Sequence, residues 1–394
     1  MKQERWGAET LRSLESDERL LARLAKRLLA SAARGYGRWL ELRYLAYRRQ
    51  WLAQRTLPGS AVAIGVGNLS AGGSGKTPIV SKLVDLFSDR WHIGVVTRGW
   101  QGLHDSYCHG LPRLLSDSMG PLFTANYSGD EPRLLLERHP QLQVWIGRDR
   151  YRVAQAAIDQ GCQLLLFDDG FHDLGIKKDY ELVVIDAKWP PWRDHLLPRG
   201  LLREKTEALA RADFVLFNHV TGGKLQWLAL EQELAAHQPL KSAALVPSVV
   251  KICSCHGTIR SSLQGRRAAL FSGIAHPDRF EATAQEIGLE IVARCHFSDH
   301  LTFQGEASLF HFAREAKLRG ADLLLCTEKD AVKWLEVAPR LPLPLYWPHL
   351  ELDLVAGQEL WQQWIDQIDG LLHQRMGSAR TTTPLFSKSA VASR

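Results

Sequence analysis

The sequence predicts an α/β fold: a mostly parallel sheet with helices on both faces, a smaller α/β unit toward the C-terminus, and an amphipathic helical segment at the N-terminus. Three observations predict it. From about residue 60 to 220, short apolar runs alternate with amphipathic stretches. The first run leads into a glycine-rich string, Ser70-Ala71-Gly72-Gly73-Ser74-Gly75-Lys76-Thr77-Pro78. Another run, Cys162–Phe167, ends in Asp168-Asp169. Strands alternating with helices imply βαβ units, and ligand-binding groups in such sheets collect at the carboxyl ends of strands.

Taken in order, residues 1–56 read as helical and basic. Leu20, Leu21, Leu24, Leu28 and Leu29 recur at helical spacing, an aromatic set from Tyr36 to Trp51 follows, and Pro58-Gly59 ends the segment. Between Arg19 and Arg55 there are ten basic residues and one acid, Glu41, so this stretch carries +9 of a total of +6 and the rest of the chain is −3. The basicity therefore belongs to one surface. Residues 57–230 form the main unit, with strands expected at Ala61–Val66, Ile93–Thr97, Gln143–Ile146, Cys162–Phe167, Leu182–Ile185 and Phe214–Phe217. Helices are expected at Thr77–Leu86, Glu131–Arg138 and Arg150–Gln160. Residues 231–374 restart the pattern, with strands at Ala268–Phe271, Glu290–Ala293 and Asp322–Cys326, helices at Arg279–Ile287 and Glu306–Lys317, and a closing helix at Gln358–Leu372. A hinge is expected near 220–240, and residues 375–394, polar and rich in Ser and Thr, are expected to be disordered.

Composition narrows the class. At 394 residues, 45% hydrophobic and 23% charged, the chain is long enough for about two ordinary globular units. No apolar run approaches the roughly 18 residues of a spanning helix. The first 20 residues are highly charged, so no secretory leader is expected. Of six cysteines only Cys253 and Cys255 are close, with no second pair at metal-ligand spacing, which favours free thiols in a reducing compartment.

The glycine-rich string lies between an expected strand and an expected helix, as a phosphate-binding loop requires. Its backbone N–H groups and the helix N-terminus attract phosphate oxygens. Gly72, Gly73, Ser74 and Gly75 form the cradle, Lys76 can reach the β and γ phosphates, and Thr77 can place its hydroxyl on Mg²⁺. Ser70 stands where the usual G-x-x-x-x-G-K-[ST] pattern has its first glycine. Asp168 and Asp169 suit Mg²⁺ directly or through water. Thr327-Glu328-Lys329-Asp330 is the nearest text to a guanine-reading motif but has Glu where Lys is needed, so ATP is favoured over GTP.

The string Gly67-Asn68-Leu69-Ser70-Ala71-Gly72-Gly73-Ser74-Gly75-Lys76-Thr77-Pro78 resembles the G-N-x-[ST]-x-G-G-[ST]-G-K-T-P loop of the tetraacyldisaccharide 4′-kinases, which commonly carry a small hydroxyl residue at the position of Ser70. Further matches follow in the family's order: Thr97-Arg98-Gly99, Gly129-Asp130-Glu131-Pro132, Asp168-Asp169-Gly170-Phe171, Leu201-Leu202-Arg203-Glu204, Ser272-Gly273-Ile274-Ala275, Asp299-His300 and Thr327–Asp330. The resemblance implies a P-loop NTPase-like kinase that uses Mg-ATP to phosphorylate the 4′-hydroxyl of a tetraacylated glucosamine disaccharide 1-phosphate in lipid A biosynthesis. It implies Asp130 as general base on the sugar hydroxyl, His300 as its support, and Arg203 and Glu204 as active-site residues, with Glu131 a weaker candidate. Arg98 reads as a phosphate ligand or a strand-end ion pair. It also implies a peripheral position on the cytoplasmic face of the bacterial inner membrane, with the basic segment against anionic lipid and Trp39, Tyr44, Tyr47 and Trp51 at the interface. On residues alone the same segment reads equally as a core-packing helix with a solvated basic face; nucleic-acid binding is the third reading and is set aside. The chain departs from the family's D-D-G-F-Q-H at His172-Asp173. That change motivates an alternative, a nucleotide-dependent lipid-binding switch without phosphoryl transfer.

Overall fold

Sheet order explains where the site lies. The computed structural model describes residues 20–72, 75–98, 111–117, 120–255, 257–259, 262–274, 276–297 and 305–381. The long helix α1 (Leu20–Arg48) comes first. The main unit then runs β1 (Val62–Gly67), α2 (Lys76–Phe87), β2 (Ile93–Thr97), α3 (Asp130–Arg138), β3 (Gln143–Ile146), α4 (Arg150–Asp159), β4 (Leu164–Asp168), β5 (Tyr180–Asp186), β6 (Phe214–Asn218) and α5 (Gly223–His237). The remainder is β7 (Ser242–Ser254), β8 (Arg267–Ser272), α6 (Pro277–Glu286), β9 (Glu290–His296), α7 (Glu306–Leu318), β10 (Leu323–Cys326), β11 (Leu345–Ala356) and α8 (Gln358–Thr381).

All eleven strands lie in one sheet, in the order β9-β8-β10-β11-β7-β6-β5-β1-β4-β2-β3. Every neighbouring pair along this path is parallel except β7–β11, a long antiparallel ribbon joining the two halves. β1 is central in its half, paired with β4 on one side and β5 on the other. The chain thus leaves β1 at a switch point, where the loops of an open α/β sheet diverge and leave a crevice for ligand.

Packing follows the alternation of a strand's two faces. Val62, Ile64, Val66, Leu164, Leu166, Leu182 and Val184 meet Ile79, Leu83 and Phe87 of α2 and Trp364, Ile365 and Ile368 of α8 on one face. The intervening residues face the other way. Leu165 and Phe167 meet Val153 and Ala157 of α4, and Val183, Val215 and Phe217 meet Trp227 and Leu234 of α5. α8, the last helix, therefore crosses back from the second half to cover the first. It continues past its expected end to Thr381, and within it Arg375 pairs with Asp179. The rest of the expected tail lies outside the described residues. In the second half, α6 covers one face through Phe280 and Ala284, and α7 covers the other through Leu309, Ala313 and Ala316.

Candidate active site

The loop after β1 is built from backbone constraints. Gly72 and Gly75 adopt φ of 115° and 83°, values that L side chains rarely take. Gly75 caps α2, and a Cβ there would collide with the Asn218 side chain at the end of β6. Only glycine lets the loop lie this close to its neighbour strand. Lys76 opens α2, and Thr77 is buried one residue later. Pro78 sits in the first turn, where its missing N–H is not needed. Gly73 and Ser74 lie outside the described residues.

β4 runs in register with β1, Asp168 opposite Val66, so the paired acids arrive beside the loop. Asp168 is 2% exposed, and its Oδ1 has no hydrogen-bond partner among the described residues. Burial, helped by Glu131 and Asp169 and opposed by Lys76 and Arg150, pushes its carboxyl up to about 7. Asp169 follows in a left-handed conformation, φ 52°. Arg203 grips its carboxylate with two 2.9 Å bonds, and Lys76 Nζ lies 3.5 Å away. Burial alone would raise the Asp169 carboxyl, but Lys76 and Arg203 outweigh it and hold it well below the usual carboxylate range. Asn68 Oδ1 accepts from Arg203 at 2.6 Å and from Lys76 at 3.3 Å. Lys76, Arg203, Asn68 and Asp169 thus form one hydrogen-bonded quartet.

A hard cation fits this donor set. A buried carboxylate oxygen without a partner needs a proton or a positive ion, and oxygen ligands beside a phosphate cradle suit Mg²⁺. No group of three or more metal-binding side chains occurs among the described residues. Phosphate oxygens and water would therefore complete the shell, as is usual for this ion.

Asp130 is the first residue of α3, preceded by Gly129 at φ 91°. Its carboxylate is mostly buried and faces two ammonium groups from the second half, Lys333 at 3.3 Å and Lys329 at 3.8 Å; Lys329 also reaches Glu131 at 3.7 Å. Their position is fixed locally. Asp330 Oδ2 accepts from the Thr327 hydroxyl at 2.6 Å and from the Gly273 N–H at 2.9 Å. At the far end of α3, Arg138 chelates Glu328, which His349 also contacts at 3.0 Å. Both ends of α3 are therefore tied to the turn after β10. In the sequence, residues 327–330 stand out as an incomplete guanine-reading motif and as a match to the family's pattern, but neither places them against Asp130. Lys333, four residues beyond Lys329 and so on the same side of a helical turn, was the missed signal. His300 lies outside the described residues.

Glu204 is 1% exposed. It accepts hydrogen bonds from the Tyr44 hydroxyl of α1 and from His172 Nδ1 at 3.1 Å. Tyr44, expected at a membrane interface, is turned inward by this bond. Arg203 is engaged with Asp169 and Asn68 as described, and Arg98 is exposed just past the end of β2. Asp186, at the end of β5, is chelated by Arg279 of α6 at 2.7 and 3.0 Å, and His219 joins the pair at 3.0 Å from Arg279. This second tie between the halves was not legible in the sequence.

Residues 25–369 match the family described as LpxK, tetraacyldisaccharide-1-P 4′-kinase. The chain is 36% identical over 336 residues to a tetraacyldisaccharide 4′-kinase of Geobacter sulfurreducens, covering 84% of this chain and 90% of that one. It is 34% identical to a protein of the same name from Halorhodospira halophila, covering 86% and 91%. Its fold is similar to that of LpxK from Aquifex aeolicus in complex with ATP, with a TM-score of 0.67, 22% identity, and coverage of 87% of this chain and 99% of that one.

Proposed function

The chain belongs to the tetraacyldisaccharide 1-phosphate 4′-kinase family, and on that premise we propose that it transfers the γ-phosphoryl group of ATP to the 4′-hydroxyl of a tetraacylated glucosamine disaccharide 1-phosphate, giving the bis-phosphorylated lipid A precursor. The observation that carries the reading is the meeting of two sets of groups. Lys76 and Asp168, whose Oδ1 has no partner among the described residues, stand at the phosphate loop, and Asp130 is fixed at the start of α3 by Lys329 and Lys333.

Phosphoryl transfer needs positioning and charge stabilisation more than covalent chemistry. The positive N-terminus of α2 and the loop N–H groups receive the phosphates. Lys76 leaves Asn68 and Asp169 for the phosphate oxygens, while Arg203 keeps both acceptors in place. Thr77 and Asp168, with Asp169 beside them, would hold Mg²⁺, which would supply positive charge to the transferring group. Asp130 takes the hydroxyl proton on its carboxylate, and we assign His300 to support it. Replacing Asp130 with Ala tests this role. Transfer of labelled phosphate should fall by about two orders of magnitude or more with ATP binding retained, and a near-wild-type rate removes Asp130 from the step.

The acceptor is an acylated amphiphile, so we place the protein peripherally on the cytoplasmic face of the inner membrane. Support comes from α1 and the turn after it, where Leu28, Trp39, Leu42 and Trp51 are all more than half exposed among arginines. No helix among the described residues is long and apolar enough to cross a bilayer. Replacing Leu42 and Trp51 by Asp should release the protein from anionic vesicles, and unchanged co-sedimentation would argue against this surface.

A further inference from the structure

α1 is joined to the main unit by several polar contacts, among them an ion pair of Glu41 with Lys205, and three of its hydrogen bonds lie next to the quartet around Lys76. The Tyr36 hydroxyl donates to the backbone carbonyl of Arg203 at 2.8 Å. Arg43 donates to the carbonyl of His172 at 2.9 Å. Tyr44 donates to the Glu204 carboxylate, which is 1% exposed and one residue from Arg203. A buried carboxylate must be satisfied by donors. Glu204 has the Tyr44 hydroxyl and the His172 ring N–H, with Arg211 at 3.7 Å. An ionised carboxylate only accepts, so His172 Nδ1 carries the hydrogen. The residue that departs from the family's usual Gln thus keeps the one property needed there, an N–H aimed at Glu204.

From Glu204 the path to the nucleotide is short. Arg203 binds Asp169 and Asn68, the two acceptors that also hold Lys76. We infer that α1 is a working part of the nucleotide site: Tyr44 and His172 are positioning residues that, by holding Glu204, set Arg203 against Asp169 and Asn68 and thereby place Lys76. Without one of its donors Glu204 shifts, and Arg203, joined to it by a single peptide bond, shifts with it. The inference rests on the reading of Lys76 as a phosphate ligand.

The test uses the full chain with Mg-ATP and tetraacyldisaccharide 1-phosphate in mixed micelles. Tyr44→Phe and His172→Leu should each lower kcat/KM for ATP about tenfold, the scale of one hydrogen bond to a buried charge. The KM for the acceptor and co-sedimentation with anionic vesicles should stay unchanged. His172→Gln keeps a donor and should remain near wild type, which separates loss of the bond from general damage to the fold. Effects confined to the acceptor KM or to vesicle binding would overturn the inference and leave α1 a surface element. So would unchanged ATP kinetics in both variants. Nucleotide titration without acceptor decides the point independently: weaker ATP binding by Tyr44→Phe supports it and wild-type affinity refutes it, even if no acceptor is ever phosphorylated.

Discussion

Replacing Asp168 with Asn should stabilise the ligand-free protein while abolishing its chemistry. Asp168 is fully buried beside Asp169, with one oxygen unpartnered. Burial, with Glu131 and Asp169 adding to it, lifts its carboxyl from the ordinary 3.8 to about 7. The native state therefore holds a proton that the unfolded chain has released. Stability contributed by this group falls as pH rises from about 4 to about 7, and the full cost is present above that. A rise of about 3 units at about 1.4 kcal/mol each amounts to about 4 kcal/mol. Asn has no charge to bury and escapes the cost. Guanidinium unfolding midpoints at pH 5 and pH 8 read the difference directly. The variant should be the more stable of the two, with a gap that widens toward pH 8 and closes toward pH 4. Mg²⁺ with nucleotide should reverse the ranking by stabilising the wild type selectively, because a ligand adds stability only to a state that binds it. A variant no more stable than wild type at pH 8 would refute the reasoning.

Two further substitutions test the frame around the site. Gly75→Ala forces a left-handed alanine against Asn218. It should cost about 1–2 kcal/mol in unfolding free energy and sharply weaken ATP binding in titration. Arg138→Met strands the buried Glu328 carboxylate with His349 alone. It should cost about 3 kcal/mol, measured by denaturant unfolding, and lower turnover by loosening the end of α3 opposite Asp130.

Much of this arrangement could be read from local patterns. Ile93–Thr97 and Gln143–Ile146 fall as their apolar runs predict, and the loop glycines and Asp168-Asp169 declare their chemistry by type and spacing. The groups that escaped are those joined only by the fold. Tyr44 and Glu204 are 160 positions apart, and Asp186 and Arg279 are 93 apart. Neither pair leaves a periodic trace. β7 and β11 were missed for a different reason. Pro247 and Pro348 interrupt them, and their outward faces are mixed, so neither reads as a clean apolar run, yet together they form the ribbon that merges both halves into one sheet. Tyr44 shows the limit of composition. An aromatic among arginines suits a lipid interface equally well, and only the buried carboxylate opposite it turns it inward.

The most direct measurement incubates the wild-type protein with γ-labelled ATP, Mg²⁺ and tetraacyldisaccharide 1-phosphate, and follows label into the lipid. The kinase account predicts one labelled phosphate per acceptor, at the 4′ position, with ADP formed in equal amount. ATP bound tightly with no label in the lipid would contradict it and leave a nucleotide-dependent switch.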